Sequence, residues 1–152
     1  MTRRLLIVAN APSENLRALR EAAAAGARRV AGVETVALGP LEAGPDDVLA
    51  ASAVLLGTSE NFGYMSGQLK DFFERIYYPC LDRTQALPCA LYIRAGNDGT
   101  GAQRSVEAIL AGLRWRLVQE PVVWRGPWRK GFVDEARELA EALAAGLEMG
   151  VF

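Results

Sequence analysis

Short apolar runs closed by turn-forming residues alternate along this chain with longer stretches whose apolar positions recur every three or four residues. Leu5 to Ala9 lies between Arg4 and Asn10-Ala11-Pro12, Val33 to Leu38 ends at Gly39-Pro40, Ala53 to Leu56 runs into Gly57-Thr58-Ser59, and Leu87 to Ile93 precedes a glycine-rich segment. The runs are continuous and not alternating, which is the pattern of parallel strands covered on both faces. Between them, Leu16, Leu19, Ala22, Ala23 and Gly26 predict a helix over 14–29 with Ser13 as its cap, and Gly44-Pro45-Asp46-Asp47 opens a short helix toward Ala51. Met65, Leu69, Phe72, Phe73 and Ile76 form a helical stripe that is expected to stop at Tyr78-Pro79. A helix is expected over 105–113 and a last one over 132–148, where Phe132, Ala136, Leu139, Leu143 and Leu147 share a side. The stretch 117–124 contains Pro121 and so belongs at a sheet edge.

Strands alternating with helices imply a parallel sheet with right-handed crossovers. The fold class expected is α/β: a single three-layer, doubly wound domain over 1–152, with a five-stranded parallel sheet in the flavodoxin-like order 2-1-3-4-5. At 152 residues one core can bury most of the chain's surface. That topology brings three loops together at the carboxyl ends of the first, third and fourth strands, where open α/β sheets hold their ligands.

Composition narrows the function. A formal net charge of −1 argues against a dedicated nucleic-acid binder. Acids prevail over 31–60, whereas Arg114, Arg116, Arg125, Arg129 and Lys130 come late, a distribution that solvated rims of different elements would also produce. The absence of His, with Cys80 and Cys89 at no metal-ligand spacing, excludes a Cys/His zinc site. The two thiols fit a reducing cytoplasm. The apolar run at 5–9 is too short for a signal peptide core or a membrane span, so no membrane association is expected.

The first loop, Asn10-Ala11-Pro12-Ser13-Glu14-Asn15-Leu16, opens a helix whose free N–H groups and dipole suit a phosphate; Ser13 and Asn15 either bind it or merely cap the helix. The second, Thr58-Ser59-Glu60-Asn61-Phe62-Gly63, offers polar groups, an aromatic ring and a glycine permitting close backbone approach, as a flat ring system requires. Phe62 could equally be core, and Glu60 a helix-initiating or solvent-facing acid. The third, Ala95-Gly96-Asn97-Asp98-Gly99-Thr100-Gly101, has glycines at the wrong spacing for a dinucleotide fingerprint.

The stretch Gly57-Thr58 through Phe62-Gly63-Tyr64-Met65-Ser66-Gly67-Gln68-Leu69-Lys70 to Phe72-Phe73-Glu74-Arg75 resembles the second flavin-binding loop and following helix of the flavodoxin-like NAD(P)H-dependent FMN and quinone reductases. Ser13-Glu14-Asn15-Leu16-Arg17-Ala18-Leu19 matches the phosphate loop of that family in part, with Leu16 in place of a hydroxyl residue and Glu14 as an added acid. In the second loop Ser59 and Glu60 replace the family's Pro and Thr. The resemblance implies FMN as cofactor, held by Ala11, Ser13, Asn15, Leu16, Thr58, Ser59, Glu60, Asn61, Phe62, Gly63, Ala95, Gly96, Asn97 and Asp98. It also implies hydride transfer from NAD(P)H to a quinone or another small-molecule electron acceptor, and assembly as a homodimer or tetramer. No catalytic side chain and no metal are expected, because such a cofactor performs the redox step itself. A flavodoxin-type electron carrier and a flavin-free interaction protein of the same fold are the alternatives. A signalling receiver domain is excluded, since the first strand ends in Ala-Asn-Ala and lacks an acidic pocket.

Overall fold

The computed structural model describes residues 2–152. The chain runs β1 (Arg3–Ala9), α1 (Glu14–Ala27), β2 (Val33–Leu38), α2 (Pro45–Ala50), β3 (Ala53–Asn61), β4 (Tyr64–Met65), α3 (Gly67–Cys80), β5 (Pro88–Ala95), α4 (Thr100–Leu113), β6 (Arg116–Leu117), β7 (Val122–Arg125) and α5 (Gly131–Met149). The sheet order is β2-β1-β3-β5-β6, with β7 also paired to β5 and β4 to β3. All pairings are parallel except the short β3–β4 hairpin. This is the expected 2-1-3-4-5 order, with the fifth strand in two pieces.

The division of that strand follows from Pro121. After Val118 donates its N–H to the Cys89 carbonyl at 3.0 Å, the chain leaves the ladder and rejoins it at Val122, opposite Tyr92. Proline has no N–H for a ladder and interrupts one where it falls. Other boundaries also differ from expectation. β3 continues five residues past Leu56, α3 includes Pro79, and α4 starts at Thr100 and not at Ser105. Residues 57–61 are therefore strand, not loop. Pairing with β4 carries the end of β3, and the carboxylates of Glu60 and Asp98 cap the earlier start of α4.

Alternate strand residues feed two cores. Leu5, Ile7, Leu55, Tyr92 and Trp124 pack with α1 and α5, whereas Leu6, Val8, Leu56, Leu91 and Ile93 pack with α3 and α4. Small residues let α1 and α5 approach closely; a side chain at Gly26 would collide with the Arg137 carbonyl. The sheet is thus covered on both faces, and polar function is confined to the strand ends.

Candidate functional site

Asn10 is the knot of the carboxyl edge. It is buried, its Oδ1 accepts the Ser59 N–H at 3.2 Å and its Nδ2 donates to the Ser59 hydroxyl at 3.3 Å. The first loop is thereby fastened to the extension of β3. Beyond it Ala11 is half-buried and Pro12, Ser13, Glu14 and Asn15 are exposed, while Leu16 turns into the core. The Ser13 hydroxyl accepts the Leu16 N–H at 3.2 Å, capping α1. Among the described residues, the N–H groups of Glu14 and Asn15 have no acceptor. Such groups at a helix N-terminus, with the dipole behind them, form an anion site.

Thr58 is fully buried; its hydroxyl donates to the Ser59 carbonyl at 2.8 Å and accepts the Ser66 N–H at 3.0 Å. Ser66 in turn caps α3 through the Leu69 N–H at 3.1 Å. At the other end of that helix stretch, Arg75 reaches the carbonyls of Ala43 and Pro40 at 2.9 and 2.6 Å and pairs with Asp71 at 2.6 Å. Thr58, Ser66 and Arg75 therefore hold the frame of the loop. What projects from the frame is the hairpin tip: Asn61, Phe62, Gly63 and Tyr64 are exposed, and Phe62 fully so. Phe62 and Gly63 have φ of 54° and 70°, the pattern of a type I′ turn. An aromatic residue in that left-handed region costs about 1 kcal/mol.

The third loop is joined to this hairpin by Glu60. Its two carboxylate oxygens accept the N–H groups of Gly99 and Ala102, each at 3.2 Å, and Asp98 Oδ1 accepts the Thr100 N–H at 3.0 Å. The Thr100 amide holds the Asp98 carboxyl below the usual carboxylate range. Two carboxylates thus close the N-terminus of α4, whereas the chain supplies none to the amides of α1. Ser105 binds the Met65 N–H at 3.1 Å, and a side chain at Gly101 would strike the Gly63 backbone, so α4 lies directly against the hairpin. Ala95 is buried; Gly96, Asn97 and Asp98 are exposed, and their N–H groups have no acceptor among the described residues.

On the α1/α5 side the edge is walled by aromatic rings. Tyr92 lies over Gly57, 5.2 Å from Trp124; Trp124 stacks on Phe132 at 6.0 Å, and Trp128 meets Phe132 edge-on at 5.7 Å. Burial pushes the Tyr92 phenol far above its ordinary value. Arg94 donates to the carbonyls of Ala95 and Trp124 at 2.6 and 3.1 Å. It is a clamp on the strand ends. Cys80 and Cys89 are both buried, and burial pushes the Cys89 thiol up to about 12, which removes it from redox chemistry at neutral pH. Among the described residues no cluster of His, Cys, Asp or Glu could hold a metal ion, and no helix is long and apolar enough to cross a membrane. An apolar groove of about 420 Å³ between α3 and α4, lined by Phe73, Tyr77, Tyr78 and Ile109, lies on the helical flank.

The three loops named from sequence do converge, but their residues offer different things. Ser13, Asn15, Asn61, Phe62, Gly63, Gly96, Asn97 and Asp98 present exposed groups, and Ala11 and Ser59 are partly exposed. Leu16, Thr58 and Ala95 have buried side chains, and the Glu60 carboxylate is turned to α4. Sequence reasoning did not single out Asn10, although an Asn ending a buried strand is the available signal, nor the capping role of Glu60, which depends on a contact 42 residues away. The open α1 amides, the backbone donors at 96–98 and the exposed hairpin ring suit a phosphate, a hydrogen-bonding edge and a flat ring respectively. FMN fits that set.

No family model matches the chain, and no curated protein matches it in sequence. Solved structures do resemble it. A flavodoxin from the domain Archaea superposes with a TM-score of 0.79 at 16% identity, covering 95% of this chain and 99% of the other. The flavodiiron core of Flv1 from Synechocystis sp. PCC6803 gives 0.80 at 12% identity; 98% of this chain is covered but only 37% of that one, so the chain corresponds to little more than a third of it. A flavodoxin, WrbA-like protein from Agrobacterium tumefaciens gives 0.72 at 16% identity, covering 98% and 99% of the two chains. The fold is flavodoxin-like.

Proposed function

We propose that this chain is an FMN-dependent oxidoreductase, passing hydride from NAD(P)H through FMN to a quinone or another small acceptor. The observation carrying this reading is the asymmetry of the helix ends at the carboxyl edge. Two carboxylates, of Glu60 and Asp98, close the start of α4, while α1, capped by Ser13 alone, keeps the free amides of Glu14 and Asn15 at the same edge. Bound there, FMN would supply the redox chemistry. The chain's own part is to hold it: the Glu14 and Asn15 amides, with the Ser13 hydroxyl and the Asn15 side chain, take the phosphate. The hairpin from Asn61 to Gly63 stands beside the ring, and the amides of Gly96, Asn97 and Asp98 meet its polar edge. Ala11, Leu16, Thr58 and Ala95 contribute only backbone, and Ser59 is held by Asn10. Glu60 orients the third loop and leaves the ligand's neighbourhood less negative than its position implies. The whole chain acts as one domain, in the cytoplasm, and a homodimer or tetramer remains part of the reading.

A flavodoxin-type carrier is the second reading, favoured by the near-complete superposition on flavodoxins. A net charge of −1 gives such a carrier little means of steering toward a basic partner. The test is the visible spectrum of the purified protein and titration with FMN, followed by flavin fluorescence quenching. Stoichiometric binding and oxidation of NADH or NADPH with a quinone panel are expected. Binding without turnover would move the assignment to the carrier, and absence of binding would overturn both.

A further inference from the structure

The helical flank formed by α3 and α4 leaves apolar surface open to water. The groove between the two helices is lined by Lys70, Phe73, Glu74, Tyr77, Tyr78 and Ile109, and its surface is predominantly apolar. Tyr78 is 80% exposed, its ring edge-on to that of Tyr77 at 5.4 Å between centres. Tyr77 reaches across to α4, where a side chain at Gly112 would strike its hydroxyl. On α4 the positions Ala108, Ala111 and Gly112 are exposed and small, so another helix can come close. Single exposed apolar side chains are ordinary, but a contiguous groove with an exposed aromatic ring on its wall marks an interaction surface. Of the charged residues of α3, Asp71 and Arg75 are turned toward the loop before α2, where Arg75 holds the Pro40 and Ala43 carbonyls. Lys70 and Glu74 are the charges on the groove, paired with each other at 2.7 Å.

The order of those two charges decides what fits the groove. α3 and α4 lie on one face of the sheet and each returns the chain between parallel strands, so they run in the same direction. Lys70 stands toward the start of α3 and Glu74 one turn later. A partner of a single charge sign gains nothing from a wall that carries one cation and one anion. A second copy turned end for end gains twice: Lys70 faces the partner's Glu74, and Glu74 faces the partner's Lys70. A copy docked with its helices parallel to these would set like charges opposite each other, which is unfavourable. A two-fold axis crossing α3 between Lys70 and Glu74 generates the favourable arrangement, because it makes a surface complementary to itself. We propose that this chain forms a two-fold homodimer through the α3/α4 groove, the helices of the two copies running antiparallel. A layer of four helices then covers the aromatic and small residues that each copy leaves exposed. The proposal rests on the oxidoreductase reading above only in that a homodimer belongs to it, and it needs no flavin.

The experiment follows the mass of the full chain by sedimentation velocity and light scattering over a concentration series. The wild-type protein should approach twice the 16.4 kDa of one chain. K70E puts two acids on each groove wall and E74K puts two cations there. Either variant alone sets like charges opposite, and each should raise the dimer dissociation constant about tenfold or more. An equimolar mixture of K70E and E74K restores unlike pairs across the two-fold axis and should dimerise as tightly as the wild-type protein. E138K, a charge reversal at an exposed position of α5, should leave the dimer intact. The side chains of Lys70 and Glu74 are 37% and 66% exposed, so these substitutions spare the core, and circular dichroism checks the fold of each variant. A wild-type protein that stays monomeric throughout the series overturns the proposal and leaves the groove to another occupant. A dimer that both reversals leave intact, or one that the mixture fails to restore, lies on another surface and overturns it as well. The FMN titration judges the oxidoreductase reading separately: a dimer that binds no flavin sinks only that reading, whereas a monomer that binds flavin sinks only this proposal.

Discussion

In the fold the oxygens of Glu60 accept the N–H groups of Gly99 and Ala102, where a helix dipole favours negative charge. The sequence leaves this residue open between a ligand-loop residue and a helix-initiating or solvent-facing acid. Replacing it by Gln should cost about 1 kcal/mol and lower the melting temperature by about 2–4 °C, measured by thermal denaturation. Phe62 presents the opposite case. Nothing covers its side chain, and its φ of 54° is strained. Phe62→Asn should therefore raise stability by about 1 kcal/mol in urea titrations, since Asn tolerates the left-handed region. If the ring stands beside a bound flavin, the same substitution should weaken FMN binding in fluorescence titrations. A gain in stability with a loss of binding is what a strained functional residue produces.

Among the elements, the β3–β4 hairpin and the start of α4 behave as one unit. Glu60, the Ser105 contact to Met65 and the absence of a side chain at Gly101 bring them together. Gly101→Ala should push α4 away from the Gly63 carbonyl and cost about 1–3 kcal/mol, the range for a forced side chain in a packed region. Hydrogen exchange should then rise in both segments together. Arg75 sets the far side of the same frame through the loop before α2. Removing it leaves the Ala43 and Pro40 carbonyls without their charged donor, so Arg75→Ala should cost about 2 kcal/mol in chemical denaturation. That the stretch from Gly57 to Arg75 contains Thr58, Ser66 and Arg75 has a physical basis. These residues hold the geometry in which the exposed ones can act.

For the whole molecule, three buried groups of raised pKa define an alkaline limit. Cys89 is pushed up to about 12 and Tyr92 further still, and Cys80 is raised as well, all chiefly by burial. The neutral forms are favoured by the folded state, so their contribution is complete below the unfolded values of 9.0 and 10.0 and is lost as pH rises above them. Urea midpoints should be flat across neutral pH and fall above about pH 9, the ordinary range of thiol ionisation. Tyr92→Phe and Cys89→Ala should each remove part of that slope. An unchanged slope in both variants would assign the alkaline loss to other groups.

The alternation of buried strands with amphipathic helices was legible in the chain, because a parallel strand covered on both faces must be apolar throughout and a helix with one covered face must repeat every three to four residues. The order of the sheet and the convergence of 10–15, 58–63 and 94–99 at one edge were expected from the flavodoxin-like topology, and the fold has both. Less legible was which polar groups there are consumed by the fold. Thr58, Glu60 and Arg94 are as polar as Ser13 and Asn97, yet their hydrogen bonds are closed internally. Hydrophobic periodicity is local and survives in the sequence. Hydrogen-bond satisfaction at a loop depends on partners that only the folded chain brings within reach, and it was the contact of Glu60, about forty residues away, that helped to close α4 while α1 stayed open.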